Sequence, residues 1–295
     1  MYDICCIGHI TLDKIVTPGS EVYMAGGTSF YFSNAIHRMN TKYILVTALA
    51  KEQWSFVDDL EKKGIKVHAQ HSNKTVYFEN IYPENLDFRT QKVLQKADPF
   101  TLQHIEGIEA KIFHLGPLLS DDISVELIKH LSKRSRVSLD VQGYLRKLQH
   151  GEVIHEDWAD KREALQHIHI LKANESEMEV LTGSQDVREG AQILHDWGVR
   201  EVVITLGSKG SVIYAGDTFF FIPAYVPSIT VDTTGCGDTY MAGYLYQRNQ
   251  GADVQIAGEF AAAMASHKIT SSGPFAGTEQ DVRNVQHAGE KVWMA

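Results

Sequence analysis

The stretch "VDTTGCGDTYMAG" (residues 231–243) sets two glycines and a lone cysteine between Asp232 and Asp238, then runs into a helical pattern. A helix N-terminus leaves main-chain N–H groups unpaired and carries partial positive charge, so it can hold an anion without any side-chain cation. Gly235 and Gly237 allow close backbone approach and inward-turned amides, a nest for a phosphate. Asp238 falls in the first helical turn, where the same field favours its ionised form. In phosphoryl transfer an acceptor hydroxyl must lose its proton, and a carboxylate within reach can take it, which makes Asp238 a candidate general base. Taken alone, the spacing fits equally well with Asp232 and Asp238 as caps around a glycine turn.

The rest of the chain frames that corner. Its 295 residues are 43% apolar, carry a formal charge of −9 and hold no lysine/arginine run. A nucleic-acid groove or an anionic membrane surface, which would need clustered positive charge, is therefore not expected. The N-terminal "MYDICCIGHI" enters an apolar run without a basic leader pattern, and the chain lacks 18 consecutive apolar residues, so a cytoplasmic enzyme is expected. Three cysteines, two of them the neighbours Cys5 and Cys6, do not suggest a disulfide framework. The 14 histidines are scattered without zinc-ligand spacing and are expected on the surface or in the core.

Short apolar runs alternate with amphipathic segments. "DICCIG", "YILVTAL", "KIFHLG", "RVSLDV", "IHILKAN", "EVVITLG", "GSVIYAG" and "TFFFIPA" read as strands, with helical patterns such as "SVELIKHLSKR" and "DVREGAQILHDWG" between them. This predicts an α/β fold: an open, mostly parallel sheet with helices on both faces. Residues 10–25 and 75–97 break the rhythm with half-polar alternation and turn signals at Pro18-Gly19 and Pro83-Glu84-Asn85. They predict a small antiparallel β lid beside one large domain spanning 1–295.

Residues 232–238 resemble the D-T-x-G-A-G-D signature of the ribokinase-like, phosphofructokinase B type carbohydrate kinases, and the resemblance extends over essentially the whole chain. It implies a ribokinase-like fold and an ATP-dependent kinase, with the amides of Gly235, Cys236 and Gly237 as anion hole and Asp238 as base. Cys236 stands where alanine is usual. "NESEMEVLTG" (174–183) resembles the family's N-x-x-E element, implying Asn174 near the nucleotide and Glu177 organising Mg2+, partly through water. "VVITLGSKG" (202–210) and "SSGP" (271–274) resemble nucleotide-holding loops, placing Thr205, Gly207, Gly210 and Gly273 near ATP. A monovalent cation such as K+ would take Asp232 and Thr234.

On the acceptor side, "GHITLDKIV" resembles the strand whose acidic residue holds substrate hydroxyls, here Asp13, and Gly26-Gly27 resembles the double glycine beside the sugar. The chain departs from the ribokinase pattern: Tyr31 stands where an asparagine would align, and Asn34 follows three residues later. "GGTSFYFSNA" (26–35) and "SLDVQGYLR" (138–146) look more like the plant myo-inositol kinase branch, implying Asn34, Asp140, Gln142 and Arg146 as acceptor-side residues. By position alone Asp140 and Gln142 could sit at a strand's C-terminal end or be helix caps. The expected ligands are thus a sugar-like alcohol and ATP, the acceptor being a cyclitol, a sugar or a nucleoside. Lid-strand edges predict a homodimer. A non-catalytic nucleotide or sugar sensor is the rival from another class, against which Asp238 and Glu177 argue. A nicotinamide dehydrogenase would want G-x-G-x-x-G after the first strand, where "IGHITLD" offers one glycine.

Overall fold

A computed structural model describes residues 1–81, 90–149 and 152–293. In chain order the strands are β1 (Tyr2–Ile7), β2 (Thr11–Thr17), β3 (Ser20–Gly26), β4 (Tyr43–Leu49), β5 (Val67–His71), β6 (Val76–Ile81), β7 (Thr90–Gln95) and β8 (Ala110–Leu115). There follow β9 (Arg136–Asp140), β10 (Arg146–Gln149), β11 (Glu152–His155), β12 (Ile170–Asn174), β13 (Glu201–Thr205), β14 (Ser211–Ala215) and β15 (Thr218–Ile222).

Nine strands form one sheet in the order β15-β14-β13-β12-β9-β8-β1-β4-β5. From β13 to β5 every pairing is parallel, and β14 and β15 add an antiparallel edge. Successive residues of β1 explain why both faces need cover. Cys5 and Ile7 pack into one core and Ile4 and Cys6 into the other, so the adjacent cysteines are core residues on opposite faces. The ribokinase-like α/β arrangement expected from the sequence is the one observed. Among the described residues no helix is long and apolar enough to cross a membrane.

Strand order reverses at β1, with β8 on one side and β4 on the other. Ligand crevices of open α/β sheets form at such switch points, beyond the C-terminal strand ends. There the chain leaves the sheet to build a second one, ordered β10-β11-β7-β6-β2-β3. This lid differs from expectation in two respects. It recruits the hairpin β10/β11, outside the anticipated 10–25 and 75–97, and its β2/β6 pairing is parallel. The anticipated turn at Pro83-Glu84-Asn85 lies outside the described residues.

The helix Cys236–Asn249 is buried on nearly all sides from Thr239 to Gln247, so its N-terminus is fixed by packing against the helices Thr28–Ile36 and Val254–Lys268. Gly243 permits the last contact, since a Cβ there would lie 3.1 Å from the Ala261 Cα.

Candidate active site

One cleft of about 890 Å³ lies between the lid and the C-terminal ends of the parallel strands. From the lid, Asp13, Ile15 and Thr17 of β2, Val22 and Met24 of β3, and Phe78 and Asn80 of β6 line it, each strand presenting alternate residues. From the sheet side come Gly27, Thr28, Tyr31, Asp140, Gln142, Arg146 and Lys172, with the loop 230–235, Gly237, Asp238 and Ser272 closing the far end. Of the residues singled out from the sequence, Asp13, Gly27, Asp140, Gln142, Arg146, Asp232, Thr234, Gly235, Gly237 and Asp238 line this cleft.

Gly235 sits at the helix start with φ +74°, a left-handed conformation that suits glycine. A Cβ there would fall 2.2 Å from the Tyr31 ring, so position 235 is closed to side chains twice over. The Cys236 amide donates to the Thr233 carbonyl at 3.2 Å, which removes it from the expected anion hole. Among the described residues the amides of Gly237 and Asp238 have no main-chain acceptor, as the first turn of a helix leaves them, and both residues line the cleft. Burial pushes the Cys236 thiol up to about 11, which leaves it protonated near neutral pH.

Asp238 departs from the sequence expectation of a carboxyl kept acidic by the helix. Burial, and then repulsion from Asp140, push its pKa up to about 7; the Lys172 ammonium, the Thr28 hydroxyl and Arg146 oppose this only in part. Enclosure by protein and the nearby Asp140 raise the cost of a charge on this carboxyl more than the neighbouring cations lower it. A carboxylate poised near 7 matches the pH at which a base must work.

Lys172 was not anticipated. Its Nζ lies 3.0 Å from Asp140 Oδ2 and 3.8 Å from Glu177 Oε2, and a Cβ on Gly237 would be only 3.3 Å from it. Burial works against its charge, but Asp140 and Glu177 hold its pKa well above the usual lysine range. Asp140 also caps the short helical turn after β9, its Oδ1 accepting from the Gln142 amide at 3.1 Å, so both sequence readings of this residue hold. Thr28, likewise missed, opens the helix after the double glycine and reaches Asp238.

Asp13 Oδ1 accepts from the Thr11 hydroxyl at 2.6 Å, and its other oxygen lies where a Cβ on Gly26 would come within 2.3 Å. Gly26 therefore makes room for the Asp13 carboxylate and does not itself line the cleft. Asn34 is corrected: its side chain donates to the Phe30 carbonyl at 2.8 Å and accepts from Lys63 Nζ at 2.7 Å, and it is 3% exposed. It does not line the cleft, which the same helix reaches through Thr28 and Tyr31.

The remaining candidates do not line this cleft. Asn174 and Thr205 are register partners at the ends of β12 and β13. Asn174 and Glu177 form a capping box, Oδ1 accepting from the Glu177 amide and Oε2 from the Asn174 amide, both at 2.8 Å. Gly207 (φ +59°) and Gly210 (φ +95°) bound the turn after β13, and the Gly273 amide donates to Asp232 Oδ2 at 3.2 Å. No three His, Cys, Asp or Glu residues converge as a metal cage among the described residues. A Mg2+ arriving with phosphates and its own water needs only one or two protein oxygens, and the buried Glu177 beside Lys172 is compatible with that.

Asp232 and Thr234 do not frame an open cation pocket. The Lys268 ammonium donates to the Asp232 carbonyl at 2.7 Å and lies 3.3 Å from its Oδ2. Burial would raise the Asp232 pKa, but the Thr234 amide and hydroxyl, Lys268 and the Gly273 amide together hold it below the usual carboxylate range.

Residues 1–281 match the family model described as "pfkB family carbohydrate kinase". A cytidine kinase of Thermococcus kodakarensis is 30% identical over 270 residues, covering 86% of this chain and 91% of that protein. A solved pyrophosphate-dependent kinase of the ribokinase family, complexed with a pyrophosphate analog and myo-inositol, superposes with TM-score 0.86 at 27% identity, covering 95% of this chain and 99% of its own. Arabidopsis thaliana ribokinase, solved with ribose and ATP, shares the fold with TM-score 0.81 at 21% identity, over 97% of this chain and 98% of its own.

Proposed function

The chain belongs to the pfkB family of carbohydrate kinases, and from that membership we propose that it moves a phosphoryl group from ATP onto a hydroxyl of a cyclitol or sugar, with myo-inositol first among the acceptors. One observation carries this reading. The carboxyl of Asp238 stands on the first turn of a glycine-started helix, in the same cleft as Asp13, Asp140, Gln142 and Arg146.

The chemistry follows from those groups. Asp13 accepts from acceptor hydroxyls, and Gln142 and Arg146 donate to its oxygens, fixing one hydroxyl toward Asp238. The amides of Gly237 and Asp238, with Lys172 behind them, favour the charge that gathers on the transferring group. Asp238 takes the hydroxyl proton as the new O–P bond forms and the bond from the γ-phosphorus to the bridging oxygen breaks, releasing ADP. When bound, Mg2+ neutralises donor phosphate charge, and Glu177 is the residue placed to hold its water shell. Asn174, Thr205, Gly207, Gly210 and Gly273 are assigned to the nucleotide.

Pyrophosphate is the second reading of the donor, favoured by the 27% identity to a pyrophosphate-dependent kinase. A panel crossing ATP and pyrophosphate with myo-inositol, ribose and cytidine, read by phosphorus NMR of the product, separates the readings. The expected result is ATP-dependent phosphorylation of myo-inositol above the other acceptors. Pyrophosphate-only turnover establishes the second donor, cytidine preference makes the acceptor a nucleoside, and no acceptor-dependent product with either donor contradicts the proposal.

A further inference from the structure

The resemblance implied a monovalent cation at Asp232 and Thr234, and the residues present do not fit one. Lys268 ends the helix Val254–Lys268, is 1% exposed, and points its ammonium at the loop that leads into Gly235. Its Nζ takes the Asp232 carbonyl at 2.7 Å and approaches Asp232 Oδ2 at 3.3 Å. The other carboxylate oxygen is engaged by the Thr234 amide at 2.9 Å. The amides of Val231 and Asp232 are tied to the Ile269 carbonyl at 2.9 and 3.3 Å, so the residue after Lys268 holds the same loop. A cation bound at Asp232 would compete with the buried ammonium for the same carbonyl and carboxylate oxygen, and the two like charges would repel.

We propose that Lys268 is the resident cation of this corner: a positioning residue whose covalently attached charge fixes the 232–235 loop and lends positive potential to the helix start, so that phosphoryl transfer needs no added monovalent ion. The charge reaches the corner, since Lys268 acts electrostatically on Cys236 at the first helical position. A buried ammonium hydrogen-bonded to a carbonyl and ion-paired with a carboxylate does the work of a bound ion without its concentration dependence.

The proposal rests on the phosphotransferase reading above, and its test has an arm independent of turnover. Wild-type protein is titrated with KCl, NaCl and choline chloride at constant ionic strength, reading both initial rate and melting temperature. Both are expected to be the same in the three salts. A several-fold activation by K+, or a melting-temperature rise specific to K+, overturns the proposal; the melting arm reads the site even if no donor and acceptor pair has yet given turnover. Lys268→Met is expected to lower kcat at least 30-fold with the acceptor KM within a factor of about three, and to recover part of the rate in KCl or NH4Cl. Lys268→Arg, keeping the charge, is expected to retain more activity than Lys268→Met. A folded Lys268→Met enzyme with wild-type kcat overturns the proposal; if that variant does not fold, the wild-type titration decides it.

Discussion

Asp238→Asn is expected to leave the protein folded and able to bind its donor while turnover falls by about three orders of magnitude, the middle of the range for removal of a general base. Stability should move the other way. The folded-state pKa of Asp238 is raised from 3.8 to about 7, so the stabilising contribution of its protonated form is complete below about 3.8 and is lost as pH rises through 7. Asparagine has no charge to bury and incurs no such loss. The variant should therefore melt a few degrees above wild type at pH 8, with the gap narrowing toward pH 4. Thermal melts at the two pH values, beside steady-state rates, check both halves. Near-wild-type turnover would remove Asp238 from the mechanism, and a variant less stable at pH 8 would remove the account of its environment.

Lys172→Met should have the second large effect. It leaves Asp140, Glu177 and Asp238 around one buried volume without the ammonium that now lies 3.0 Å from Asp140. Removing one partner of a buried ion pair typically costs about 3–5 kcal/mol, because the other charge stays buried and uncompensated. Protonating a carboxylate relieves that repulsion, so the loss read by denaturant melts should be larger at pH 8 than at pH 5.5. Lys172 also holds the Asp238 pKa down, so any residual activity should need a higher pH than wild type. A stability loss independent of pH would show that Lys172 acts by packing and not by charge.

Much of this was legible because each signal was local. Continuous apolar runs such as "VVITL" announced strands covered on both faces, and the glycine pair at 235 and 237 announced the helix-start corner. What escaped notice depends on partners far away in the chain. Lys172 reads as a strand lysine until folding brings Asp140 beside it, 32 positions earlier, and Lys268 reads as a helix C-terminal charge. β5 ("VHAQH") and the hairpin β10/β11 ("RKLQ", "EVIH") are short and half-polar, carried by a neighbouring strand and not by their own pattern. Asn34 was assigned by resemblance of its neighbours, whereas helical geometry turns it onto Lys63. The Asp238 pKa followed from enclosure, which the sequence does not display; its position on the helix did.

The pH dependence of kcat/KM for the acceptor tests the central claim most directly, since it reports the titration of the free enzyme's base. The account predicts a rate that is level above pH 8 and falls tenfold per unit below about 7, where Asp238 takes up its proton. A profile flat from pH 5.5 to 8.5 would contradict it.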